Sequence, residues 1–223
     1  MRRSNYLVLD CETGGLDPEA NPITQFAAVV LDHGTLKEVD RWETYVRPYN
    51  GLKIDREAIE RTMVNMSAVN AGLKLDEFIE SLMAFMSQNL AEGSAKAQRR
   101  LVGVGHNVLF DVGMLEAAFG YSTFAKKNNL FQFIQDQTLD TMYFSKMILG
   151  LTGNEKMTLG ATCEHCGITL TDAHGAMNDV EATADLFRWC VKKLRSKGGA
   201  APAAEKKTRP RGSKFFEFQC AKH

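Results

Sequence analysis

Two carboxylates stand two residues apart in the run Tyr6-Leu-Val-Leu-Asp10-Cys-Glu12-Thr13-Gly14. Residues 6–9 are apolar and read as a buried strand. Side chains alternate along a strand, so Asp10 and Glu12 share one face. Like charges beside a hydrophobic core lose solvation and repel unless something positive lies between them. A divalent cation with hard-oxygen preference suits that place. Gly14-Gly15 turns the chain and Pro18 marks a loop. Alone, the stretch reads equally well as an ordinary strand exit with two solvated acids. Two more acids sit at element ends: Asp111, shortly after the strand-like residues 101–105, and Asp179, at the start of an apolar-striped helix. His174 lies five residues before Asp179. Five helical steps of roughly 100° put two residues on different faces. His174 therefore belongs to the loop ahead of the helix, with Gly175 as the break.

The elements that must position these groups follow from periodicity. Residues 23–31 and 36–46 read as strands, joined through the turn Asp32-His33-Gly34, and form a meander with the first. Residues 55–61 read as a short helix. Asp76 reads as the cap of a longer one, with Phe78, Ile79, Leu82, Met83, Phe85, Met86 and Leu90 on its apolar face. Residues 92–100 are a polar loop. A helix follows His106-Asn107, carries Met114, Leu115, Ala118 and Phe119 inward, and stops at Gly120. Residues 121–137 are weakly patterned. Thr138 opens another helix running to Leu149, and residues 159–166 form a short one. The last helix, 176–194, has the stripe Val180, Ala184, Phe187, Val191 and Leu194. A meander followed by alternating strands and helices argues an α/β fold with a mixed sheet.

Composition narrows the setting. The 223 residues are 44% hydrophobic and 24% charged, ordinary values for one globular domain with a sizeable core. No apolar run is long enough to span a bilayer, and the first residues lack the apolar core of a signal peptide. Five cysteines without framework spacing point to a reducing compartment, hence a cytoplasmic location. The net charge of zero hides an asymmetry. Residues 196–223 hold seven Lys/Arg against two acids, and the remainder 20 against 25. We therefore divide the chain into a body, 1–195, and a basic, flexible tail, 196–223. The tail ends in an aromatic cluster of Phe215, Phe216 and Phe218.

Asp10-x-Glu12-Thr, His106-Asn107-x-x-Phe-Asp111 and His174-x4-Asp179 together resemble the three motifs of the DnaQ-like DEDDh 3′–5′ exonucleases, in that family's order. Asp140-Thr141 matches a further signature of the family. The resemblance covers about residues 5–194. It implies a ribonuclease H-like fold, a five-stranded mixed sheet flanked by helices. It also implies two divalent cations, Mg²⁺ with Mn²⁺ able to substitute. Asp10 would bridge both, Glu12 and Asp179 would complete the nucleophile-side site, and Asp111 would order the second. His174 would be the general base, a role its ordinary pKa of about 6.5 suits. Thr13, Gly14 and Leu16 match the segment that holds the 3′ nucleotide, although Gly14 reads equally well as a turn residue. Asn107 belongs to the second motif. Glu57 and Thr62 lie in a stretch similar to the proofreading members' second contact loop. Those members carry His-Gly where Thr62-Met63 stands.

The implied activity is hydrolysis of single-stranded or frayed DNA ends to nucleoside monophosphates, as in proofreading. RNA trimming, as in ribonuclease T or oligoribonuclease, is the enzymatic alternative. The first motif lacks the Met-Thr-Gly of oligoribonucleases. An inactive module that only binds nucleic acid or a polymerase is the reading from another class, but it has no need of all five residues. The implied partners are single-stranded nucleic acid, DNA ahead of RNA, and a polymerase or other replication protein met through the tail. No membrane contact is expected. The Cys163-Glu-His165-Cys166 run has no second pair to complete a zinc site, and His33 and His106 read as structural.

Overall fold

A computed structural model describes residues 4–62, 65–90, 100–125, 128–152, 155–170 and 175–197. Strands β1 (Tyr6–Thr13), β2 (Ile23–Leu31) and β3 (Glu38–Tyr45) form the meander. Then come α1 (Arg56–Thr62), α2 (Met66–Ala71), α3 (Leu75–Gln88), β4 (Val102–Gly105), α4 (Val108–Tyr121), β5 (Leu139–Asp140), α5 (Thr141–Leu149), α6 (Leu159–Cys166) and α7 (Ala176–Lys197). The five-stranded sheet has the order β3-β2-β1-β4-β5. β1–β2 and β2–β3 are antiparallel, and β4 and β5 join in parallel. This is the mixed, helix-flanked α/β sheet expected.

Period-two alternation splits the core in two. Leu7, Leu9 and Cys11 of β1 and Phe26, Ala28 and Val30 of β2 face α3 and α4. Val8, Ala27, Val29 and Leu31 face the other way and pack on Ala176, Val180, Ala184 and Phe187 of α7. Asp10 is paired in register with Ala27, and Glu12 with Gln25. Asp10 and Glu12 therefore continue the Val8 face toward α7, on the face opposite Cys11.

Local expectations fail at four places. Lys74 caps α3, and Glu77 accepts a hydrogen bond from its N–H (3.0 Å). Asp76 sits inside the first turn and binds the far end of α4, accepting from the Ser122 hydroxyl (2.6 Å) and the Thr123 N–H (2.9 Å). Gly120 does not stop α4, whose C-cap is Ser122. Residues 139–140 pair with β4 before α5 starts, which a two-residue strand gives no periodicity to reveal. Leu194 is 46% exposed and is not part of the cluster that α7 packs against the sheet, so it falls off the stripe. The loop expected at 92–100 lies outside the described residues except for Arg100.

Candidate active site

Three elements deliver the acids. β1 ends with Asp10 and Glu12. α7 starts one residue after Gly175 and brings Asp179 in on its first turn, against the same sheet face. One carboxylate oxygen from each of Asp10, Glu12 and Asp179 lies within 4.8 Å of the others. α4 brings Asp111 from the opposite side. Asp111 is 3% exposed, and its Oδ1 accepts the Cys11 N–H at 2.9 Å, so β1 itself orients this carboxylate. The four acids line an open cleft of about 220 Å³ with Cys11, Thr13, Leu16, His106, Asn107 and Phe110.

Electrostatics follow from that crowding. Burial first, then Asp111, Glu12 and Asp179, hold the Asp10 carboxyl well above its usual range. Asp111 is pushed up to about 8, mainly by burial, against the opposing hydrogen bond from Cys11. The Cys11 thiol is raised by burial and then by Asp111, Asp10 and Glu12. Acids that resist ionisation because they are desolvated and mutually repelling become good ligands when a cation neutralises them. All four offer hard oxygen. The donor set fits a divalent ion such as Mg²⁺ or Mn²⁺.

The far wall is built from a turn that the spacing did not reveal. Asn107 adopts a left-handed conformation (φ 70°) at the cap of α4. Asp140 Oδ1 accepts its N–H at 3.1 Å and the Met142 N–H at 2.9 Å. His106 lies 3.0 Å from the Thr141 hydroxyl through Nδ1 and 2.6 Å from the Met157 carbonyl through Nε2. His106 is therefore engaged in holding the wall together, the structural role expected of it. Burial also lowers its pKa, which favours the neutral ring. Phe110 and Asp140 belong to the sequence motifs, but nothing in those motifs gave them these roles, and Cys11 stands at an unspecified position of the first motif.

The remaining expected residues scatter. Thr13 is buried on the cleft and its hydroxyl donates to the Gly15 carbonyl at 2.6 Å. Leu16 is 69% exposed at the rim. Gly14 is packed behind it: a Cβ there would meet Pro22 and the backbone of residues 53–54 at about 3 Å, so close approach requires the glycine. Glu57 is exposed on α1 and is not among the cleft's lining residues. His174, the side chain of Thr62 and residues 198–223 with Phe215, Phe216 and Phe218 lie outside the described residues. Cys163, Cys166 and Cys190 are free thiols. Among the described residues the acidic trio is the one group of His, Cys, Asp and Glu placed to hold a metal.

Comparison with known proteins fits this geometry. Residues 7–187 match the family profile RNase T, described as exonuclease. Ribonuclease T of Buchnera aphidicola is 27% identical over 202 residues, covering 88% of each chain. The PolC-type DNA polymerase III of Clostridium perfringens is 27% identical over 192 residues, covering 85% of this chain and 11% of the polymerase. In structure, E. coli Exonuclease I in complex with a dT13 oligonucleotide superposes with a TM-score of 0.67. It is 20% identical, with 87% of this chain and 42% of that one covered. This chain thus spans about a tenth of the polymerase and under half of Exonuclease I.

Proposed function

The chain belongs to the exonuclease family, in its DEDDh 3′–5′ class, and on that premise we propose that it trims single-stranded or frayed DNA from the 3′ end, releasing nucleoside monophosphates. The observation that carries this reading is the convergence of Asp10, Glu12 and Asp179 within 4.8 Å, with Asp111 facing them, in a cleft open to solvent. These four residues would hold two divalent cations, Mg²⁺ by preference. When bound, such ions supply Lewis-acid stabilisation of the phosphoryl charge and an acidified water.

The chain's own groups do the rest. His174 takes the proton of the attacking water at an imidazole nitrogen. Asp111, held by the Cys11 N–H, keeps a fixed orientation beside β1. Leu16 and Phe110 offer apolar faces to a terminal base at the cleft, flanked by Thr13 and Asn107, and Gly14, packed behind Leu16, shapes the segment that holds it. Glu57 and Thr62 are assigned to a second strand of contacts along α1. We assign residues 1–195 to the nuclease and 196–223 to a basic arm that attracts phosphates or docks on a polymerase, although α7 carries the body two residues further, through Ser196 and Lys197. The PolC-type relative supports the polymerase partner. Free buried thiols suit a cytoplasmic setting.

RNA is the second reading, favoured by the ribonuclease T relative, which this chain matches over 88% of both lengths. Labelled single strands of DNA and RNA, incubated with Mg²⁺, Mn²⁺ or chelator, test both. We expect metal-dependent release of mononucleotides from 3′ ends, faster on DNA. Faster RNA trimming would transfer the assignment to RNA. Absence of turnover on either, with metal bound, would leave a binding module.

A further inference from the structure

Asn21 lies at 4% exposure beneath the loop that follows β1, and its whole amide is used. Its Oδ1 accepts the Asp17 N–H at 3.0 Å. Its Nδ2 donates to the Lys53 carbonyl (3.0 Å) and to Asp55 Oδ2 (3.2 Å). One partner is a donor and two are acceptors, so the amide's orientation is forced by chemistry. Backbone bonds run in parallel: Lys53 N–H to the Ala20 carbonyl at 3.0 Å, and Asp55 N–H to the Gly14 carbonyl at 2.7 Å. A Cβ on Gly15 would come within about 2.5 Å of both Asn21 Oδ1 and Asp55 Oδ2, so the loop has no slack at this point.

Two segments distant in sequence meet on this one side chain. The first carries Thr13 and Leu16 to the cleft, and the second leads into α1. A buried amide hydrogen-bonded at both its oxygen and its nitrogen holds a defined geometry, because each bond lost leaves an unsatisfied polar group. Asn21 touches neither the acids nor the cleft. We infer that Asn21 is a positioning residue: it locks the Leu16 loop to residues 53–55 and thereby sets the binding of the strand's 3′-terminal nucleotide, without affecting metal binding. This inference rests on the nuclease reading for the identity of the ligand, but the lock itself does not.

The test uses three full-length variants. Asn21→Asp keeps the shape, removes both donors and faces Asp55 with a second carboxylate. Asn21→Asp with Asp55→Asn restores a donor across the same pair. Gly15→Ala wedges the lock from the other side. Binding of a fluorescent DNA strand in Ca²⁺, KM and kcat in Mg²⁺, Mn²⁺ affinity by calorimetry, and hydrogen exchange over residues 13–21 and 53–57 are read together. Asn21→Asp and Gly15→Ala should raise Kd and KM about tenfold or more, with kcat changed less than about threefold. Mn²⁺ affinity should hold and exchange should rise in both segments. The double variant should recover most of the loss, and Asn21→Asp alone should bind better as pH falls and one carboxyl is protonated. Unchanged KM in Asn21→Asp, no recovery in the double variant, or a parallel loss of Mn²⁺ affinity would overturn the inference. If the wild type neither binds nor cleaves strands, the nuclease reading fails. The exchange data then decide alone: unchanged protection in Asn21→Asp would sink the lock.

Discussion

Asp10 is the residue on which the cluster closes, since burial, Asp111, Glu12 and Asp179 all oppose its charge. Removing it should abolish hydrolysis and relieve repulsion at once. Asp10→Ala is therefore expected to lose all measurable turnover while melting at or above the wild-type temperature in chelator. A clearly lower melting temperature without metal would show that Asp10 serves the fold instead. His174 is expected to behave in the opposite manner. His174→Ala should lose about 10²–10⁴-fold in kcat, the size of a general-base contribution, with Mn²⁺ affinity unchanged by calorimetry. If the metals are lost with the imidazole, His174 is a ligand and the proton acceptor is another group.

At the scale of elements, α4 is fastened at both ends. Its start is held at the cleft through Asp111 and Cys11, and its end through Asp76 on α3. Hydrogen bonds from Ser122, then Thr123, hold the Asp76 carboxyl down at about 2, against an ordinary 3.8. A carboxyl with a depressed folded pKa contributes stability above its unfolded value and loses it as pH falls through the folded one. Asp76→Ala should thus cost about 1 kcal/mol near neutrality, discounted for partial exposure. The gap from wild type should narrow as pH drops from about 4 toward 2. Melting curves of both proteins across that range check it. A gap that persists unchanged at pH 2 would assign the effect to packing instead of charge.

For the whole molecule, charge is split between an acidic body and a basic arm. Among the described residues none that line the cleft is Lys or Arg, so phosphate attraction has to come from bound cations or from outside the cleft. Truncation after Lys197 removes six Lys/Arg. It should leave kcat on short strands unchanged and weaken binding to long ones. The salt slope should fall by up to roughly four, since each phosphate contact contributes about 0.7 on single strands. Equal affinity and equal slope in the truncated protein would assign the arm to a protein partner.

Asp10, Glu12, Asp111 and Asp179 were legible as a set because each falls at the end of a periodic segment, and periodicity is a local property of the chain. The same logic gave the meander, α6 and the apolar stripe of α7. Chain order could not say which acids would meet. That was decided by the pairing of Asp10 with Ala27, which aims Asp10 and Glu12 at α7, and by the parallel insertion of β4, which carries α4 to the opposite side. β5 was hidden because two residues show no period, and its strand character comes entirely from the Val104 and Gly105 backbone beside it. Asp76 has the residue type of a cap but serves as a tether, because Ser122 and Thr123 arrive from 46 and 47 residues away. Asn21 had no signal at all. An asparagine before a proline reads as a turn, and its importance arises from hydrogen bonds to residues 32 and 34 positions distant. Local pattern thus specifies which residues lie on which face. Long-range backbone pairing alone determines which faces confront one another.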